Sequence, residues 1–260
     1  MRLPIYQVDA FTKRRFGGNP AAVCPLPKWL PDQTLLDIAA ENNLAETAYF
    51  VAEPDGYRLR WFTPAVEVDL CGHATLAAAV VLMDCLGFGG DQVTFHSRSG
   101  PLTVARAGDL YTLDFPAWPG VPQAADPAVA QALGATPQAI FAARDTMCVF
   151  ESAAQVKALE PNMEALKALA AFAVIATAPG DDCDFVSRFF APRQGINEDP
   201  VTGSAHCALT PYWAARLGKT NLFARQVSAR GGELWCEDRG GRVRIGGQGA
   251  LYLTGFIEID

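Results

Sequence analysis

The chain has 260 residues, of which 50% are hydrophobic, and a formal net charge of -7 at pH 7. Its length suffices for one large domain or two small ones with a proper core, and its hydrophobicity excludes an intrinsically disordered protein. The net negative charge argues against binding to nucleic acid or to an anionic membrane surface, because both require clustered lysine and arginine.

The cysteines and the apolar runs indicate the compartment. The first residues, MRLPIYQVDAF, lack the apolar core of a signal peptide, and the apolar run ATLAAAVVL is cut short by Met83-Asp84. The 7 cysteines include no CxxC pair, and the 3 histidines form no metal-binding helix pair. This usage is typical of reduced, mostly buried thiols. We expect a cytoplasmic protein with no membrane partner and no structural metal.

The first half predicts alternating strands and helices. YQVDAF and AAVCPL are expected to be strands around a turn at Gly17 to Pro20, and PDQTLLDIAAENN a helix that Asp32 caps and Asn42-Asn43 end. ETAYFVA and YRLRWF follow as strands, and a helix is predicted from Gly72 to near Gly87. Further strands are expected in QVTFHSRSGPLTVARAGDLYTLDF, and the proline-rich segment 116–127 is predicted to be a domain linker.

The second half repeats the first. PNMEALKALAA predicts a helix, FAVIATA a strand, and CDFVSRFFAP a strand that resembles YRLRWFTP. Gly72, Gly87 and Gly100 each lie 131 residues before a second glycine, at Gly203, Gly218 and Gly231. Several matches in order indicate a duplicated domain, because the period is far longer than that of a solenoid repeat.

Each half therefore places a glycine where a loop enters a helix. The first N–H groups of a helix are unpaired and carry a partial positive charge, and glycine lets a ligand approach them closely. Gly72 and Gly203 are accordingly predicted to clamp a carboxylate group of a small molecule. His73 and Ser204, each one residue after a glycine, are expected to contact the same ligand.

Two carboxylates break the symmetry of the repeat. Glu46 aligns with Val174 and stands between a helix and an apolar strand, where a partly buried carboxyl group with a raised pKa would suit proton transfer. Asp199 precedes Gly203 and is the second candidate, whereas Glu198 is interpreted as its surface neighbour. Cys71 precedes a helix N-terminus, which lowers a thiol pKa, and could act as a nucleophile or a proton donor, although we favour its interpretation as a buried thiol without a catalytic role. His206 and Cys207 are expected to be packing residues.

Four motifs in order, FGGNPAAV, NNLAETAYF, DLCGHATLA and EDPVTGSAH, resemble the PhzF family of phenazine biosynthesis, a relative of diaminopimelate epimerase. The resemblance covers the whole chain. It implies an α+β fold of two pseudo-symmetric domains, each a curved sheet or barrel around a central helix, with the active site in the cleft between them. We assign residues 1–117 to the first domain, with strand 251–260 returning to it, and residues 118–250 to the second.

The resemblance also implies a function. It indicates a homodimeric isomerase that needs no cofactor and moves a proton on a small carboxylated, amino-bearing substrate. Glu46 would then be the acid and base, Asp199 and His73 would hold or polarise the substrate, and Ser204 would bind it with the backbones of Gly72 and Gly203. Epimerase relatives use two opposed cysteines, whereas here Cys71 stands at the first thiol position and Asp199 at the second.

Two alternatives remain open at this point. One is an amino-acid racemase or epimerase that uses Cys71 and Asp199, and the other is a non-catalytic carboxylate-binding protein on the same scaffold. The sequence names no substrate, and membership in the family would not by itself establish the phenazine substrate.

Overall fold

A computed structural model describes residues 1–260, and the chain divides into two compact units. The first unit comprises residues 1–114 and 246–260, and the second comprises residues 115–245. No helix in the structure is both long and apolar enough to cross a membrane.

The first unit is built on one mixed sheet. Its strands are β1 (Arg2–Ala10), β2 (Asn19–Pro25), β3 (Glu46–Glu53), β4 (Gly56–Phe62), β5 (Glu67–Val68), β6 (Gln92–Ser97), β7 (Gly100–Ala107), β8 (Leu110–Pro116) and, from the end of the chain, β18 (Gly249–Glu258). Pairing gives the order β18-β1-β2-β3-β4-β6-β7-β8, with β5 added to one end of β4. The pairs β2–β3 and β4–β6 are parallel and the others are antiparallel.

Two helices lie against this sheet. Helix α1 (Asp32–Asn42) packs its Leu35, Ile38 and Ala39 against strand residues such as Tyr49 and Phe62. Helix α2 (Gly72–Val80) contacts β1, β2, β3, β7 and β18, so the sheet surrounds it. Every residue from His73 to Val80 is buried, which explains why this helix is apolar on all sides. A single π-helical turn, Val81–Cys85, extends it to Gly87, where φ is +74°.

The second unit repeats this plan. Its strands are β9 (Val121–Gln123), β10 (Ala139–Ala142), β11 (Thr146–Val149), β12 (Val174–Pro179), β13 (Phe185–Ala191), β14 (Ile196–Asp199), β15 (Asn221–Gln226), β16 (Gly232–Asp238) and β17 (Arg242–Gly247). The pairs β11–β12 and β13–β15 are parallel, and β12–β13 and β15–β16 are antiparallel. This is the alternation of β2, β3, β4, β6 and β7, and it supports the predicted duplication.

The helices of the second unit are α3 (Pro127–Leu133), α4 (Ala153–Lys157), α5 (Met163–Ala168) and α6 (His206–Leu217). Helix α6 contacts β15 and β16 and occupies the position of α2 in the repeat. Its buried residues include His206 and Cys207, which confirms that both are packing residues. A helical turn at Pro192–Gln194 precedes β14.

Several local predictions were wrong. Asp32 does not cap α1: the N-cap is Pro31, and Asp32 instead accepts a 2.9 Å hydrogen bond from Arg60. The segment 116–127 contains the strand β9, which pairs with β10, and is therefore more than a linker. Helix α6 begins at His206 rather than at Gly203, because the intervening residues form a tighter turn in which the His206 N–H binds the Gly203 carbonyl at 3.0 Å.

Candidate active site

Glu46 is the first residue of β3, and β3 is held in parallel register with β2, where Glu46 lies opposite Ala21. Its side chain is 13% exposed. Val174 likewise begins β12, so the structure places Glu46 and Val174 at equivalent positions of the two sheets. The carboxylate at this position is thus present in one unit only.

Cys71 and His73 come from the N-terminus of α2. Cys71 is the N-cap residue, and its carbonyl accepts hydrogen bonds from the Thr75 N–H at 3.1 Å and the Thr75 hydroxyl at 2.6 Å. Gly72 separates the two side chains, which are both buried. Burial of α2 inside the sheet therefore carries Cys71 and His73 into the interior beside Glu46.

The Glu46 carboxylate and the His73 imidazole face each other. Oε2 of Glu46 lies 3.1 Å from Nε2 of His73. Both atoms are buried, and neither has another hydrogen-bond partner in the chain. Buried polar atoms in proteins are normally paired, so the contact between these two atoms is what satisfies both of them inside the chain.

The pKa of Glu46 is lowered, contrary to the prediction of a raised value. Burial raises the pKa of this carboxyl group, but the charge of His73 and hydrogen bonds from His73 and Cys71 together outweigh burial. Glu46 is therefore ionised at neutral pH and available as a proton acceptor. The sequence prediction considered the burial of Glu46 and missed its cationic neighbour.

His73 and Cys71 respond to the same surroundings. Burial opposes protonation of His73, yet its pKa is raised well above the usual value by its contacts with Cys71 and Glu46. Burial, followed by the charge of Glu46, raises the pKa of Cys71, although His73 acts in the opposite direction. The lowered thiol pKa expected at a helix N-terminus was therefore wrong, and Cys71 is a protonated thiol at neutral pH.

Asn19 is a site residue that the sequence analysis did not single out. It is the first residue of β2, is fully buried, and places its side-chain amide 3.4 Å from Nδ1 of His73. Sγ of Cys71 lies 3.5 Å from the same nitrogen. Asn19 and Cys71 thus hold one edge of the imidazole while Nε2 points to Glu46. The available signal was the FGGNPAAV motif, in which Asn19 was interpreted as a turn residue.

Asp199 ends β14 in the second unit, and a local network fixes it. The Thr202 hydroxyl donates to Oδ2 of Asp199. The buried amide of Gln226 donates to the Asp199 carbonyl at 2.7 Å and to the Thr202 hydroxyl at 3.2 Å, and it accepts from the Thr202 N–H at 2.9 Å. His206 lies beneath this loop, with Nδ1 at 2.8 Å from the Thr202 carbonyl.

Ser204 and Gly203 lie in the turn between this loop and α6, where the Ser204 carbonyl accepts from the Cys207 N–H at 3.1 Å. The offset that aligns Gly72 with Gly203 places Thr202, not Asp199, opposite Cys71. Glu198 is likewise not a free surface acid, since Arg188 binds both of its carboxylate oxygens.

The structure therefore brings Glu46, Cys71 and His73 together around Gly72 in the first unit. Asp199, Gly203 and Ser204 lie close in the chain within the second unit. The joint action of the two sets on one substrate stays a prediction.

Glu46, Cys71 and His73 could also hold a metal ion between them, because one ligand atom of each lies within 4.8 Å of the others. Glu46 and Cys71, however, approach different nitrogens of the His73 ring. One imidazole nitrogen binds a metal, so this arrangement is more typical of a hydrogen-bonded proton-transfer cluster than of a metal centre.

Comparison with known proteins decides the family. The family model for phenazine biosynthesis-like proteins, PhzC-PhzF, matches residues 8–255. The chain belongs to the PhzC-PhzF family. It is 51% identical over 259 residues to an uncharacterised isomerase of Pseudomonas aeruginosa, with 100% of both chains covered. It is 41% identical to a human phenazine biosynthesis-like domain-containing protein, with 99% of each covered.

Solved structures of PhzF-family proteins share the architecture. A PhzF-family protein of Enterococcus faecalis superposes with a TM-score of 0.98 at 48% identity, covering 100% of both chains. A hydroxyproline epimerase of Agrobacterium vitis shares the fold at 11% identity, with a TM-score of 0.61 and 98% and 92% of the two chains covered. The predicted α+β, diaminopimelate epimerase-like fold is thus confirmed, and the chain is an isomerase of this family.

Proposed function

We propose that this PhzC-PhzF isomerase moves a proton within a small substrate that carries a carboxylate and an amino group, with Glu46 as the acid and base. The observation that supports this most directly is the buried pair of oppositely charged atoms of Glu46 and His73, which lie 3.1 Å apart and have no other hydrogen-bond partner in the chain. A reacting group placed there would meet a base and a cation simultaneously.

The proposed reaction needs no co-reactant. The Glu46 carboxylate removes a proton from a carbon next to an electron-withdrawing group, and the electron pair of the broken C–H bond delocalises into that group. Glu46, now a carboxylic acid, returns the proton to a second carbon of the conjugated system, and the double bonds shift. The carboxylate is regenerated, so that protons and electrons balance without a metal or a redox cofactor.

The neighbours of Glu46 have supporting roles. The His73 cation stabilises negative charge that develops on the substrate, and Asn19 and Cys71 fix the orientation of its ring. Gly72, Gly203, Ser204 and Asp199 are proposed to bind the substrate, with the two glycine backbones receiving its carboxylate. Membership in an isomerase family speaks against the non-catalytic alternative.

The test is a screen in heavy water. Amino acids, hydroxy acids and cyclic diene acids would be incubated with the enzyme, and exchange of carbon-bound hydrogen would be followed by NMR. The proposal predicts an exchanged substrate whose product carries the deuterium or the transferred proton on a different carbon. Exchange at a single carbon with inversion of configuration would instead favour the racemase alternative, for which Cys71 and Asp199 are the candidate residues, and would contradict the proposal.

A further inference from the structure

The segment 199–202, which leads from the end of β14 towards α6 and is called the 199–202 loop below, is held by buried side chains. The Gln226 side chain accepts from the Thr202 N–H and donates to the Thr202 hydroxyl, and Nδ1 of His206 binds the Thr202 carbonyl. Thr202 is 7% exposed, Gln226 1% and His206 0%. All polar groups of Thr202 are thus paired inside the second unit, although this residue lies in a loop.

Gln226 can make its contacts in one orientation only. The Thr202 N–H is a donor and the Asp199 carbonyl is an acceptor, so the side-chain oxygen of Gln226 faces the first and its nitrogen the second. The same nitrogen also donates to the Thr202 hydroxyl oxygen. One buried amide therefore joins the two ends of the 199–202 loop.

The Thr202 hydroxyl extends this contact to the Asp199 carboxylate. A hydroxyl group has one proton, and because its oxygen accepts from Gln226, that proton is directed away from the amide. The proton is donated to Oδ2 of Asp199. The hydrogen bonds run from the Gln226 amide through the Thr202 hydroxyl to the Asp199 carboxylate, and bonds in such a chain strengthen one another.

A second contact to this loop is common to both units. Ser228 donates to the Pro200 carbonyl at 2.7 Å, and Ser99 donates to the Asp69 carbonyl at 2.8 Å. Asp69 lies 131 residues before Pro200, and each serine lies in the hairpin that follows the central helix of its unit. The serine contact is therefore part of the duplicated scaffold.

The amide contact, in contrast, occurs in the second unit only. Gln226 ends β15, and Ser97 ends the corresponding strand β6. The Ser97 hydroxyl donates to the Gly100 carbonyl within its own hairpin at 2.8 Å, rather than to the loop before α2. The unit with the added amide is also the unit whose loop carries Asp199. A polar contact that the duplicated fold does not require thus lies beside a residue proposed to bind the substrate.

We propose that Gln226 is a positioning residue of this isomerase, which sets the orientation of the Asp199 carboxylate through the Thr202 hydroxyl. Gln226 acts on the substrate only through these two neighbours. The inference rests on the proposed function, because it takes Asp199 as a group that binds the substrate. Loss of the amide would displace that carboxylate while every group that contacts the substrate stays present, and small displacements in an active site lower the rate.

A pair of buried variants separates positioning from stability. Gln226→Met removes all contacts of the amide, and Thr177→Val is the control, because the buried Thr177 hydroxyl bonds to the Val186 carbonyl and the Trp213 indole and not to the 199–202 loop. Both variants are expected to lower the urea midpoint. With the substrate found in the exchange screen, Gln226→Met is expected to lower kcat/KM by about tenfold to a hundredfold, and Thr177→Val to leave it unchanged. An equal loss in the two variants would give Gln226 a structural role only and overturn the proposal.

The Asp199→Asn background tests whether Gln226 acts through Asp199. There Gln226→Met is expected to lower kcat/KM by a further factor of about two or less, because the carboxylate that it positions is already gone, while its effect on the urea midpoint is retained. The full additional loss of kcat/KM in that background would contradict the proposal.

A measurement without substrate keeps this inference separate from the proposed reaction. The carbon-13 NMR signal of the Asp199 carboxylate, assigned by its absence in Asp199→Asn, is expected to shift in the same direction in Gln226→Met and Thr202→Val and to stay in place in Thr177→Val. If Gln226→Met does not fold, Gln226→Glu replaces it, because this variant keeps the acceptor for the Thr202 N–H and lacks the donor. An unmoved signal would overturn the positioning role even with an active isomerase. A screen without any exchanged substrate would count against the reaction, and the NMR signal would still decide the role of Gln226.

Discussion

The guanidinium of Arg188 binds both carboxylate oxygens of Glu198, from Nε at 2.7 Å and from its second nitrogen at 2.9 Å. Arg60 and Glu67 make the same forked contact in the first unit, at 2.7 and 2.8 Å. Glu67 and Glu198 are 131 residues apart, as are Gly72 and Gly203. In each unit the pair ties the short strand before the central helix, β5 or β14, to the neighbouring strand, and β14 ends at Asp199.

The two-point contact between Arg188 and Glu198 should therefore stabilise the folded protein. Arg188 also donates to the Val156 and Leu159 carbonyls and is 12% exposed, so Arg188→Met removes the donor to these half-buried carbonyls and to Glu198. We expect a loss of about 2–4 kcal/mol for Arg188→Met and about 1–2 kcal/mol for Glu198→Gln. Urea unfolding measures both. The exposed Lys157→Met should change stability little, and an equal effect in all three variants would refute the assignment.

His73 and His206 should differ in charge at neutral pH. His73 is expected to be an imidazolium, because Cys71 and Glu46 raise its pKa despite burial. His206 is expected to be neutral with its proton on Nδ1, because burial lowers its pKa to about 4. Nitrogen-15 NMR of the imidazole rings at pH 7 distinguishes these states. A neutral His73 at that pH would contradict the proposed ion pair with Glu46.

Protonation of His206 and Glu46 also predicts acid sensitivity. The folded pKa of His206 lies below the ordinary value of 6.5, so the unfolded chain binds a proton first and stability is lost as pH falls from about 6.5 towards 4. The folded pKa of Glu46 is also lowered, so its contribution is lost at still lower pH. The contribution of His73 has the opposite sign, because its raised pKa favours folding below about pH 6.5 and is lost as pH rises through the folded value.

Asp145 provides a separate pH test in the second unit. This carboxyl group is buried, one of its oxygens has no hydrogen-bond partner, and burial raises its pKa to about 6 from an ordinary value of 3.8. The folded state therefore gains a proton before the unfolded state as pH falls. Asp145→Asn should stabilise the protein more at pH 8 than at pH 5, by about 1.4 kcal/mol, because pH 5 lies about one unit below the folded pKa; urea unfolding measures the difference. The exposed Asp181→Asn should show no such pH dependence.

Cys71 should be dispensable for the chemical step. Its thiol is protonated and serves as a hydrogen-bond donor to Glu46, a role that a serine hydroxyl can fill. Cys71→Ser should therefore reduce turnover of the substrate found in the exchange screen by about tenfold or less. A loss of several thousandfold would favour the racemase with Cys71 as a catalytic acid.

The sequence pattern predicts the helices and strands better than it predicts the charges and pKa shifts of the site. The glycine spacing located α2, α6 and the duplicated sheets, because a repeated chain refolds into the same elements. The short helices α3 and α4 and the strand β9 were missed, since elements of three to seven residues are fixed by packing and carry little periodicity.

The site shows the same limit. Glu46 stood out by its asymmetry in the repeat, but the direction of its pKa depended on His73, which is distant in sequence and adjacent in space. The pairing of Arg188 with Glu198 depends on the pairing of β13 with β14, and the contact of Asn19 with His73 depends on the packing of β2 against α2. Sequence spacing alone contains no signal for such contacts.

The most direct test of the account is the exchange rate of Glu46→Gln beside the wild type in heavy water. Glutamine preserves the shape of the side chain and removes the base, so we expect exchange and turnover to fall by about a hundredfold to ten-thousandfold. Glu41→Gln, at an exposed acid near the end of α1, is the matched control and should react like the wild type. If Glu46→Gln retains both turnover and deuterium incorporation, the assignment of Glu46 as the acid and base is wrong.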